Sequence, residues 1–218
     1  MNDSLTARGL RLLLLPLLIL LTACAPTPEP TAPPETAAEL FTDAFATPTT
    51  AWARFDTTES AAYVQQGEFY LEDRGRGKSV YTQLLGQNFT DVVIQVTVRY
   101  VEGTQDNWMG VLCRQQDEEN YYLFAISADG YYLMLKVENG SSTPLEGPTA
   151  TEAINTGLAK NTLEARCEGE TLTLRLNDTF TVTHTDSSFQ EGAVALFTDA
   201  VRGGTTTAAF DDFRLLRP

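Results

Sequence analysis

The chain has 218 residues and carries 15 Lys and Arg against 29 Asp and Glu, a formal charge of −14, with a single histidine. So acidic a surface repels phosphate backbones and argues against nucleic acid as a partner. One histidine excludes a His-rich metal site and leaves Ser-His-Asp chemistry a single base, His184, which the pattern places at an exposed strand end.

Residues 1–23 read as an export signal rather than as structure. Arg8 and Arg11 supply a positive start, and Leu10 to Leu21 is nearly all leucine, the length of a signal h-region and short for a membrane span. The run ends in Leu21-Thr22-Ala23-Cys24, which resembles the bacterial lipobox. That resemblance implies cleavage before Cys24, acylation of Cys24, and a protein held on the outer face of a bacterial membrane through lipid only. Several acyl chains on one residue anchor stably where one would not. Loss of the signal takes away Arg8, Arg11 and Asp3 and so leaves a charge of −15. Residues 24–37 follow as a tether. Their PTPEPTAPP core is too rich in proline for helix or central strand and reads as an extended spacer.

Residues 38–218 read as one β-sandwich domain. At about 180 residues it is long enough to bury roughly 70% of its unfolded surface. Strands are expected at Leu40–Phe45, Ala62–Val64, Glu68–Leu71 and Val80–Leu85, with Trp52 as a plug against the core. Arg74–Lys78 (RGRGK) is basic and Gly-rich. It lacks the strand–loop–helix setting of a phosphate loop and reads as a solvated turn. In the strand at Asp91–Tyr100, Val92, Ile94, Val96, Val98 and Tyr100 alternate toward a core.

The centre of the domain is Trp108–Val137, three strands joined by turns at Asp117–Asn120 and Asp129-Gly130. Ala128 set opposite Tyr131 places Ile126, Phe124 and Tyr122 on one face with Leu133, Leu135 and Val137. Gln116 set opposite Tyr121 adds Cys113 and Val111 to that predicted core face. The other face carries Trp108, Arg114, Tyr121, Tyr132 and Lys136, with Leu112, Leu123 and Met134 between them. This mix of aromatic and basic groups is the candidate ligand surface. Sugars are held by aromatic platforms with a few convergent polar groups.

Ser141–Ala159, polar and interrupted by Pro144 and Pro148, reads as a long connection between sheets. Strands follow at Thr162–Cys167, Thr171–Leu176, Thr179–His184, Gly192–Thr198 and Ala208–Leu216. The result is about a dozen strands at hairpin spacing, an all-β sandwich. With Cys24 acylated, Cys113 and Cys167 remain as a pair on two predicted core faces. They form either a disulfide or two buried thiols, and export favours the disulfide.

The order of these motifs resembles the concanavalin A-like lectin/glucanase superfamily. The motifs are an early Phe41-x-Asp43-x-Phe45 with Trp52 after it, then the GVLCR and NYYLFAIS blocks, then NTLEARCEGETLTLRLND, GAVALF and a terminal FDDFRL. The branch it most resembles is named for 3-keto-disaccharide hydrolase domains, with laminin-G-like domains as cousins. The resemblance implies a jelly roll of two antiparallel sheets with the first and last strands side by side. It also implies a possible calcium site near that meeting, for which Asp43, Asp211 and Asp212 are the candidates. No other cofactor is implied. The superfamily's glucanases carry Glu-x-Asp-x-x-Glu on one strand, and that spacing is absent here, so no catalytic residue is assigned. The expected function is a non-catalytic surface module binding carbohydrate. The alternatives are a glycoside-processing enzyme of the 3-keto-disaccharide hydrolase type and a structural or protein-interaction module of the envelope.

Overall fold

The computed structural model describes residues 38–47, 49–75 and 79–218. The export signal, Cys24, the proline-rich tether and residues 76–78 of the basic loop lie outside the described residues. Fifteen strands are present: β1 Glu39–Asp43, β2 Phe55–Asp56, β3 Ser60–Gln65, β4 Glu68–Asp73, β5 Val80–Gln83, β6 Val92–Gly103, β7 Asn107–Asp117, β8 Asn120–Ile126, β9 Tyr131–Glu138, β10 Ser141–Ala150, β11 Asn161–Glu168, β12 Thr171–Leu176, β13 Phe180–Thr185, β14 Ala193–Ala200 and β15 Thr206–Leu216. They form two antiparallel sheets. The nine-stranded sheet runs β13-β12-β11-β6-β15-β4-β3-β2, with β1 also on β15; the six-stranded sheet runs β10-β9-β8-β7-β14-β5. The first and last strands pair, as the resemblance implied.

The core lies between the sheets. Val92, Ile94, Val96, Val98 and Tyr100 of β6 all enter it, because strand side chains alternate and this set is the apolar one. Trp52 is buried at 3% exposure among Phe45, Phe69 and Phe213, and its indole N–H donates to Asp43. Cys113 on β7 and Cys167 on β11 form a disulfide, which ties one sheet to the other through the core.

Two expectations are corrected. Ser141–Ala150 is not a connection but an edge strand, β10. An edge strand needs only one row of backbone hydrogen bonds, so it accommodates Pro144 and Pro148 at two interruptions of the ladder. The inward face of β9 is the second correction. The β8–β9 loop holds three residues, with Ile126 opposite Tyr132, rather than the two that place Ala128 opposite Tyr131. One extra residue reverses every side chain beyond it. Tyr132 and Met134 therefore point into the core beside Phe124 and Ile126, and Leu133, Leu135 and Val137 point outward. On β7 and β8, Val111, Cys113, Tyr122, Phe124 and Ile126 face the core as expected, but a bulge between Cys113 and Asp117 shifts the register by two residues and carries Arg114 inward.

Candidate functional site

The outer face of the six-stranded sheet carries the second apolar cluster: Leu112, Leu123, Ala125, Ala195 and Phe197, with Tyr81, Trp108, Tyr121 and Leu135 packed against it. At one end of this face lies a cavity of about 480 Å3. It is lined by the aromatic residues Trp108 and Tyr131, by the polar Asp106, Ser127 and Asp129, and by Pro148 and Val201.

The local sequence builds this end stiffly. Trp108 follows Asn107, a fully buried amide that donates to the Thr206 hydroxyl at 2.8 Å and accepts from the Ala128 N–H at 2.9 Å. The β8–β9 loop closes on Ser127, whose N–H donates to the Tyr131 carbonyl and whose carbonyl accepts from Gly130. Gly130 sits at φ +98°, the left-handed position that a three-residue hairpin loop requires. The Ser127 hydroxyl hydrogen-bonds the Asp129 carboxylate and accepts the Tyr131 N–H. Tyr131 is left 41% exposed, so its ring is available to a ligand.

Asp199 stands opposite Trp108 across the β14–β7 ladder. Burial, and then the nearby Asp73 carboxylate, push its pKa up to about 6. A raised carboxylate opposes folding once it ionises. The folded state holds the proton up to about pH 6 and the unfolded chain releases it near pH 4, so stability falls as pH rises through that window. Asp199→Asn is therefore expected to stabilise the protein at pH 7.5 by about 1–3 kcal/mol and by much less at pH 4. Urea unfolding at the two pH values checks this; an equal effect at both would refute it.

Of the expected ligand surface, Trp108 lies in the cavity and Tyr121 lies half-buried farther along the same face. The other three residues are elsewhere. Arg114 sits at φ +52° in the β7 bulge, which turns it inward, where it is 1% exposed. Tyr132 is in the core against Phe180, ring centroids 4.8 Å apart. Lys136 pairs with Asp186 at 2.9 Å and donates to the Ser188 hydroxyl. Burial opposes the charge on Asp186, but hydrogen bonds from Tyr122, Lys136 and Ser188 outweigh it and hold the carboxyl well below its usual range. Tyr131, Asp106, Asp129 and Asp199 were not singled out from the sequence. The available signal was Ser127-Ala128-Asp129-Gly130, which fits a three-residue loop with Gly at its last position.

The calcium candidates are not brought together. Asp43 faces the aromatic core, accepting from the Phe45 N–H, the Thr49 hydroxyl and the Trp52 indole. Asp211 pairs with Lys160, and Asp212 lies in the bulge of β15, lining a different cavity on the outer face of the nine-stranded sheet. Among the described residues no three His, Cys, Asp or Glu side chains group as metal ligands. That other cavity, about 250 Å3, has no aromatic lining, and its Arg175 and Arg214 are already paired with Asp178 and Glu39.

No protein-family profile matches the sequence, and no curated protein matches it. Among solved structures the chain is similar to the carbohydrate binding module CBM66 from Bacillus subtilis, with a TM-score of 0.61 and 20% identity over 77% of this chain and 96% of that one. It is similar to the GH43 protein BlXynB from Bacillus licheniformis, with a TM-score of 0.60 and 12% identity over 81% of this chain. A third is the Bacillus licheniformis beta-glucanase, with a TM-score of 0.57 and 11% identity over 84% of this chain and all of that one. The fold is the concanavalin A-like jelly roll. Identities this low establish the architecture and leave the chemistry to the residues. The jelly roll here matches only 39% of BlXynB, so it corresponds to one part of that protein.

Proposed function

We propose that the protein is a lipid-anchored surface module whose jelly roll binds carbohydrate at the Trp108–Tyr131 cavity without cleaving it. The observation that carries this reading is a single cavity lined by two aromatic residues, Trp108 on β7 and Tyr131 on β9, together with the polar Asp106, Ser127 and Asp129 of the adjoining loops. The similarity to a carbohydrate binding module supports it. A glycan array should identify retained sugars, and Trp108→Ala should weaken the best of them at least about tenfold. A Trp108→Ala protein that binds as before, or an array with no retained glycan, would overturn the reading.

The anchor rests on the Leu21–Cys24 motif and the leucine run before it. Cys24→Ser should move the expressed protein from the detergent phase to the aqueous phase on detergent partitioning. Unchanged partitioning would refute acylation at this residue.

Asp199 favours a second reading. A carboxyl held protonated to about pH 6 beside an aromatic ring suits a general acid. Release of reducing ends from a glycan bound by the protein, lost in Asp199→Asn, would favour a glycoside-processing enzyme.

A further inference from the structure

We propose that the Trp108–Tyr131 cavity selects an amino sugar bearing a free ammonium group, such as a glucosamine oligosaccharide, over neutral or acidic sugars. This rests on reading the cavity as a glycan site. The charge around it is one-sided. Asp106 and Asp129 line the cavity, Asp199 stands beside Trp108, and no described lining residue is a lysine or arginine. These carboxylates are not all engaged by their neighbours. Asp129 takes the Ser127 hydroxyl, whereas no described residue donates a hydrogen bond to the side chain of Asp106 or Asp199.

Several less exposed acids elsewhere in the domain are engaged. Asp73 accepts two backbone N–H groups, Asp186 takes Tyr122, Lys136 and Ser188, and Glu68 takes Arg99 and Tyr70. Around Trp108, then, charged acceptors stand without donors of their own, next to an indole face that attracts cations through its quadrupole. A hydroxyl group offers such a site one hydrogen bond and no charge. An ammonium offers three N–H donors and a full positive charge, and it satisfies ring and carboxylates together. A uronate or sulfated sugar brings a like charge to the carboxylates of a chain whose formal charge is already −14.

The test is calorimetric titration of the full-length protein with four disaccharides: the β-1,4 dimer of glucosamine, its N-acetylated form, cellobiose and a uronic acid dimer. The glucosamine dimer should bind at least about tenfold tighter than the neutral pair, and the uronate weakest. Asp106→Asn and Asp199→Asn should each reduce that preference, read as the ratio of the glucosamine-dimer affinity to the cellobiose affinity. Asp178→Asn, an acid remote from the cavity, should not alter that ratio. A charge preference that persists in both cavity variants, or that falls equally in Asp178→Asn, would assign it to the protein's overall charge and overturn the proposal. Neutral sugars bound as tightly as the amine, with loss in Trp108→Ala, would overturn the charge selection and keep the glycan site. No binding of any of the four would overturn the charge selection, and an empty glycan array beside it would remove the glycan reading as well.

Discussion

Replacing Arg114 with methionine is expected to lower the unfolding free energy by about 3–5 kcal/mol. The guanidinium is buried where the two sheets meet, and its four hydrogen bonds reach three separate chain segments. It donates to the carbonyls of Thr90 at 3.0 Å, Gly169 at 2.8 Å and Phe189 at 2.8 Å, and to the Asp91 carboxylate at 3.1 Å. Methionine fills much of the same volume but donates nothing. Asp91 is 48% exposed and would regain water, so its lost partner contributes little. The Phe189 carbonyl has less recourse, because its bond to Arg114 is buried, and a buried acceptor left without a donor costs about 1–3 kcal/mol, with smaller losses at the half-buried bonds to Thr90 and Gly169. Arg114→Lys should fall between, because one ammonium keeps the charge but cannot reach the carbonyls as a planar fork does. Urea titration of the three proteins decides the matter. A methionine variant within about 1 kcal/mol of the parent would show that water already serves these carbonyls.

Arg114 also shows what the sequence could and could not reveal. Alternation identified the strands and the inward set of β6, because there every residue keeps step with the pleat. Parity also placed Cys113 and Val111 beside Tyr122 and Phe124. It failed where the backbone leaves step. The β7 bulge turns Arg114 from the outer face to the interior, and no pattern of apolar residues announces a bulge. At the β8–β9 loop, Asp129-Gly130 suits both a two-residue and a three-residue turn. Only the second makes Tyr131 the exposed ring, and Tyr132 the buried one. The site was therefore half legible: Trp108 lies on a strand in step, while Asp129 lies in the ambiguous loop and Tyr131 directly follows it. The strand β10 was hidden for another reason. It lies at the sheet edge and is exposed along most of its length, so it carries no apolar alternation to read.

Replacing both Cys113 and Cys167 with alanine is expected to lower stability by about 2–4 kcal/mol. The bridge closes a separation of 54 residues, and the chain-entropy argument puts the upper figure near 4 kcal/mol for a loop of that size. Dithiothreitol added to the unfolded parent should reproduce the loss on refolding. An alanine pair as stable as the oxidised parent would refute it. Its neighbour in sequence makes the measurement more informative. Arg114 follows Cys113, and it donates to Gly169, two residues beyond Cys167, so the covalent bond and the hydrogen bond tie the same points of the two sheets. A bridge that acted only on the unfolded chain would be indifferent to Arg114, and the two losses would add to within about 0.5 kcal/mol. A bridge that also holds the native sheets in register would support the arginine's hydrogen bonds, so part of their contribution would already be lost with the bridge, and removal of both would cost less than the sum. The second outcome is expected, by about 1 kcal/mol, because the four acceptors of Arg114 come from three separate segments that only the closed sandwich holds in place. Arg114→Lys is the partner for this double-mutant cycle, since it leaves enough stability for all four proteins to fold. Strict additivity would confine the disulfide's effect to the unfolded state.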